Sequence, residues 1–144
     1  MKLYLDDIFD LEIKEYLLKQ NGIENVLITN RNFISEIDIT CNEEVTSAII
    51  AKYIQLYLNI KFSFLLEFDK KVNYGIKKLT YVIDDMCCEY CYKALVTELF
   101  INENIKSFRS NFDITKPLIN IKMEIEFNEE LDEQEIINYI NEKL

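Results

Sequence analysis

Two segments of this 144-residue chain occur twice, and that repetition limits the possible folds more than any other feature of the sequence. Leu5-Asp6-Asp7-Ile8-Phe9-Asp10-Leu11-Glu12-Ile13 lies over Ile83-Asp84-Asp85-Met86-Cys87-Cys88-Glu89-Tyr90-Cys91. This register also places Tyr16-Leu17 over Ala94-Leu95, so the apolar seams of two helical stretches coincide. Further on, Cys41-Asn42-Glu43-Glu44-Val45 matches Phe127-Asn128-Glu129-Glu130-Leu131, a strand end running into a helix start. A chain that repeats its own succession of elements reads as an internal duplication, each copy one supersecondary unit.

In the first copy, residues 2–8 alternate as a strand, Asp10 caps a helix running to Gln20, and Asn21-Gly22 stops it. Residues 26–29 and 34–41 form a hairpin turning at Asn30-Arg31-Asn32, with Ile37, Ile39 and Cys41 facing one way and Glu36, Asp38 and Thr40 the other. Asn42 caps a longer helix through Leu58, and Phe62, Phe64, Leu66 and Phe68 alternate along a strand over 61–68. The order is βαββαβ. After a polar turn over 69–75 the pattern restarts with a strand at 79–83, a cysteine loop and a helix over 90–100. Strands at 105–112 and 118–127, about a turn holding Pro117, and a helix over 131–144 follow. The second copy is therefore βαββα, with no closing strand.

The fold class expected is α+β: two repeats, 1–68 and 77–144, of antiparallel strands with helices on one face. In a split βαβ sheet the closing strand lies beside the first strand, so its loss leaves an edge open at 79–83, and natural proteins cover such edges. The strand over 61–68, one short turn away, is expected to pair there and join both copies into one continuous sheet. Failing that, a homodimer made through the open sheet edge is the next candidate.

Charge narrows the partners. Against 16 basic residues stand 26 acidic ones and no histidine, a formal charge of −10. A field of that sign repels nucleic acid and anionic lipid surfaces. The opening Met1-Lys2-Leu3-Tyr4-Leu5-Asp6-Asp7 has neither a basic n-region nor an apolar span, so a cytoplasmic, reducing location and no membrane insertion are expected. Cysteines there are ligands, redox groups or core residues rather than a disulfide framework. No paired carboxylates, no nucleophile with its base and no phosphate loop are visible, with only two glycines in the chain, and no enzymatic activity is expected.

Chemistry is concentrated in Met86-Cys87-Cys88-Glu89-Tyr90-Cys91, between a β-branched run and an amphipathic helix. A βαββαβ unit whose first loop carries Met-x-Cys-x-x-Cys resembles the heavy-metal-associated domain, the ferredoxin-like fold of copper chaperones and of cytosolic modules of metal-transporting ATPases. The matching residues are Met86, Cys88 and Cys91, followed by a helix with Ala94 and Leu95. The resemblance covers 77–144 with its motif and 1–68 by topology and repetition alone. It implies that Cys88 and Cys91 hold a soft metal ion, that Met86 packs beneath the loop, and that an ATPase or another acceptor protein receives the ion. The first copy has Asp10 and Ile13 at the two metal positions, which cannot form a thiolate pair, so that half is a degenerate or purely structural module.

The residues argue separately for the same chemistry. Two cysteines three apart at a loop-to-helix junction can bring both sulfurs to one ion, and the free N–H groups of the helix start favour thiolate. Thiolates select Cu(I), which two ligands suit, with Zn(II) and Cd(II) as further possibilities. Zinc wants four ligands, which without histidine means Cys87 or a carboxylate of Asp84, Asp85 or Glu89. Those acids oppose thiolate formation while drawing in cations. Tyr90 and Tyr92 flank the second cysteine and stand as shielding groups or as half-exposed packing. Cys41 belongs to an apolar strand face and reads as core. Two readings compete with metal: a thioredoxin-like redox pair, which wants a different fold and a cis-proline facing the sulfurs, and a non-enzymatic protein-interaction module whose cysteines are structural fillers.

Overall fold

The structure, a computed structural model, describes residues 1–6 and 11–144. Among these residues the chain forms four helices and one seven-stranded antiparallel sheet. In order the elements are β1 (Lys2–Leu5), α1 (Leu11–Leu18), β2 (Ile23–Arg31), β3 (Ile34–Cys41), α2 (Ser47–Leu58), β4 (Glu67–Asp69), β5 (Ile76–Asp85), α3 (Glu89–Ile101), β6 (Ile105–Ser110), β7 (Ile119–Asn128) and α4 (Glu133–Lys143). The expected strand end and helix cap at residues 7–10 lie outside the described residues.

Alternation along the strands decides which face is dry. Leu3, Leu5, Ile37, Ile39, Phe68, Leu79, Ile83, Phe108, Ile121, Met123, Ile125 and Phe127 are buried, and Ile13, Leu17, Ile50, Ile54, Leu95, Leu99, Ile136 and Ile140 from the helices join the same cluster. Burying one stripe of each helix against one sheet face removes both apolar surfaces from water. The opposite face carries charge: Tyr4 Oη donates to Glu36 at 2.9 Å, Lys106 to Asp69 at 2.8 Å, and Ser107 Oγ to Glu126 at 2.7 Å.

The repeat seen in sequence is matched bond for bond at the end of each hairpin. Asn42 N donates to Gly22 O at 2.9 Å and Asn128 N to Asn104 O at 2.8 Å. Each asparagine then makes an Asx turn, Glu44 N on Asn42 Oδ1 and Glu130 N on Asn128 Oδ1, both 3.0 Å. Asn42 is thus not the helix cap expected of it. Four residues on, Thr46 accepts from Ile49 N and Asp132 from Gln134 N, and the helices begin there. Both hairpins also share a bulge, between Ile23 and Asn25 in β2 and between Ile105 and Ser107 in β6. The first hairpin turns at Asn32-Phe33, both at positive φ, rather than at Asn30-Arg31-Asn32.

The strand order is β2-β3-β1-β4-β6-β7-β5, which corrects the expected position of the joining strand. One continuous sheet does form, but 61–68 does not pair with 79–83. Only Glu67–Asp69 is strand, laddered to β1 on one side and β6 on the other. Phe64, Leu65 and Leu66 are buried in succession instead of alternating, and Phe62 has φ 54. Thr97 Oγ1 accepts from the N–H groups of Phe64 and Leu65, replacing a ladder.

The following link explains why no hairpin closes. Lys70 N donates to Lys106 O, Lys70 Nζ reaches Phe100 O and Asn102 O, Tyr74 Oη reaches Glu103 O, and Gly75 O accepts from Glu129 N. The chain therefore passes the near ends of β6 and β7 before entering β5 at the far edge. There β5 pairs with β7 alone, and its other side has no strand among the described residues.

Candidate metal centre

The cysteine loop is placed by the two elements around it. β5 ends at Asp85, opposite Ile119 of β7, and Met86 N donates to Leu118 O at 3.0 Å, which pins the chain as it leaves the sheet. The Met86 side chain is buried in the core, where it anchors the loop from below. Cys88 is the N-cap of α3 with extended backbone, which sets its sulfur at the start of the helix. Cys91 follows one turn later, half-buried where Ile13 of the first copy is fully buried.

The three sulfurs converge. Cys88 Sγ and Cys91 Sγ are 3.7 Å apart, and the sulfurs of Cys87, Cys88 and Cys91 all lie within 4.8 Å of one another. Cys87 and Cys88 are exposed, and all four cysteines of the chain are free. None of the carboxylates of Asp84, Asp85 or Glu89 belongs to this cluster, so the acids that sequence reasoning held in reserve as ligands stand apart from the sulfurs. Cys41 is separate as well: its Sγ faces Val45 O at 3.9 Å in the first half, half-buried, and burial raises its pKa.

The thiols of Cys88 and Cys91 are shifted in opposite directions. The backbone N–H of Cys91 and then its thiol lower the pKa of Cys88, while the thiol hydrogen bond with Cys87, followed by burial and by Cys88, pushes Cys91 up to about 12. Cys88 therefore ionises more readily than Cys91. On reduced protein near neutral pH, iodoacetamide is expected to label Cys88 at least about tenfold faster than Cys91, read by peptide mapping; equal rates would contradict this order of ionisation.

The flanking tyrosines separate. Tyr90 is 65% exposed, beside the sulfurs. Tyr92 is not half-exposed packing but fully buried, stacked on Phe112 with centroids 4.0 Å apart, its hydroxyl donating to Leu66 O at 2.7 Å and paired with Ser110 Oγ at 2.6 Å. It ties α3 to the segment before β4 and plays no part at the sulfurs. Lys93, which no motif marks in the sequence, pairs with Asp6 at the end of β1 and fixes the helix carrying Cys91 to the first half.

The chain matches no family model, no curated protein and no solved structure.

Proposed function

We propose that the protein is a non-enzymatic carrier of one soft metal ion, held by Cys88 and Cys91 with Cys87 as third ligand, and passed to an acceptor protein by thiolate exchange. The observation that carries the proposal is the convergence of three free sulfurs at an accessible helix start. The sulfurs of Cys88 and Cys91 are 3.7 Å apart, and that of Cys87 lies within 4.8 Å of both. That favours a three-sulfur site over a two-sulfur one. Among the described residues zinc would lack a fourth protein ligand, since the chain has no histidine and no described carboxylate joins the cluster, so Cu(I) comes first, with Zn(II) and Cd(II) behind it.

The scaffold is read here as two tandem ferredoxin-like repeats of the heavy-metal-associated type, 1–68 and 77–144, the first having lost its metal site. The strand orders β2-β3-β1-β4 and β6-β7-β5 support this, as do the shared bulge and Asx turn. Met86 below the loop, Asp85 before it and Tyr90 beside it are the supporting residues. No helix among the described residues is long and apolar enough to cross a membrane. A cytoplasmic setting, where thiols stay reduced, suits the free cysteines.

Titrating the reduced protein with Cu(I) and with Zn(II) against a competing chelator is expected to show uptake of one equivalent, weakened at least about 100-fold by Cys88→Ser or Cys91→Ser and less by Cys87→Ser. Uptake that ignores all three substitutions, or none at all, would leave a protein-interaction module with structural cysteines.

A further inference from the structure

We propose that the free edge of β5 is a self-recognition surface on which a second copy of this chain docks, β5 against β5, antiparallel about a two-fold axis at Tyr81. β5 is ten residues long and bonded on one side only, to β7. A strand of that length with an open edge is a template for another strand. Its sequence, Ile-Lys-Lys-Leu-Thr-Tyr-Val-Ile-Asp-Asp, is basic at the start and acidic at the end. Reversed upon itself, it is its own electrostatic complement.

The pleat selects the register. Directly opposed residues of an antiparallel pair share a face, so a two-fold pairing joins only residues an even number of positions apart. Centring on Tyr81 sets Lys77 against Asp85 and Lys78 against Asp84, with Leu79 against Ile83 on the dry face and Thr80 against Val82 on the open one. Both charge pairs satisfy the parity, and symmetry doubles them to four contacts. Shifting the centre to Thr80 sets Lys77 against Ile83 and Lys78 against Val82, and the complement is lost. All four charged side chains are exposed, and none makes an ion pair among the described residues.

The other free edge does not offer this. The charges of β2 are only Glu24 and Arg31, and Glu24 falls in the bulge between Ile23 and Asn25, where the regular register is lost. The β5 interface would also bring Lys77 of the second copy to Asp85, at the foot of the cysteine loop, offsetting acid that opposes thiolate formation. Docking does not depend on metal.

Sedimentation of the full reduced chain, with and without chelator, is expected to show a dimer. The double variants Lys77→Glu/Lys78→Glu and Asp84→Lys/Asp85→Lys each place like charges at all four contacts and are expected to raise the dimer Kd at least about 100-fold. Mixed together, the two variants restore every pair and are expected to dimerise as a heterodimer. A monomeric wild-type chain, a dimer that both variants keep while circular dichroism shows them folded, or a mixture that stays monomeric would overturn the proposal. The same measurement on Cys87→Ser/Cys88→Ser/Cys91→Ser is expected to give a dimer. If it does not, the sulfurs bridge the copies and the edge is not the interface.

Discussion

Replacing Phe68 by alanine is expected to cost about 4 kcal/mol of folding stability, a large part of what a domain of this size has. β4 is three residues long, yet it joins the two halves of the sheet: Leu3 pairs with Phe68 on one side, and Phe108 pairs with it on the other. The ring is 1% exposed and sits edge-on to Phe100 at 5.2 Å and against Phe108 at 6.4 Å. Truncation removes the aromatic burial and leaves a cavity between two sheet halves, neither of which can collapse into it without breaking the ladder. In urea the midpoint should fall by about 2 M, and the transition should broaden as the halves lose their coupling. Phe33→Ala, at a hairpin tip where the ring is 79% exposed, is the control and should move stability by less than about 0.5 kcal/mol. A Phe68 variant as stable as that control would mean that the halves are held together elsewhere, through α2 and α3 or through Lys93 and Asp6.

What could be read in the sequence depended on whether the signal was local. Ile121, Met123, Ile125 and Phe127 are buried as their alternation requires, and the Cys41-Asn42 and Phe127-Asn128 repeat marks equivalent turns because an asparagine and the residues just after it suffice to build an Asx turn. The sulfur cluster was legible for the same reason: its residues are neighbours in the chain. Residues 61–68 misled because their period-two pattern is a side effect. Phe64, Leu65 and Leu66 fill a gap in the core in succession, and the hydroxyl of Thr97, far away in sequence, supplies the bonds that an adjacent strand would have given. The partner of β4 was hidden too. Proximity pointed to β5, whereas the link that decides the matter is held by Lys70 at the end of α3, and a lysine in a polar stretch reads as solvated.

Lys70 gives the second large effect, a rise of stability with pH that depends on one side chain. It is 5% exposed, with Nζ donating to Phe100 O at 2.5 Å and Asn102 O at 3.0 Å and lying 5.0 and 5.4 Å from the ring centroids of Phe100 and Phe68. These groups satisfy carbonyls at the C-terminus of α3, where a cation is favoured, but burial outweighs them. Burial lowers the ammonium from its ordinary 10.5 to about 7, with Glu103 opposing. Between those two values the unfolded chain binds the proton and the folded chain does not, so stability rises with pH across that window and is flat below it. At roughly 1.4 kcal/mol per unit, the gain from pH 7 to about 9.5 should approach 3 kcal/mol. The thiols of Cys91 and Cys41, held protonated in the fold beyond their ordinary 9.0, act in the opposite sense towards the upper end of that window, and above it Tyr4 and Tyr92, which burial keeps protonated, do the same, equally in the native chain and the variant. Lys70→Met is one heavy atom shorter but unbranched and close in volume, and it has no proton to lose. Urea unfolding of both proteins at intervals of pH should give a rising curve for the native chain and a flatter one for the variant, the difference between them tracing the titration of a single amine. Parallel curves would place the Lys70 proton in the folded state throughout and leave the charged lysine as the true cap of α3.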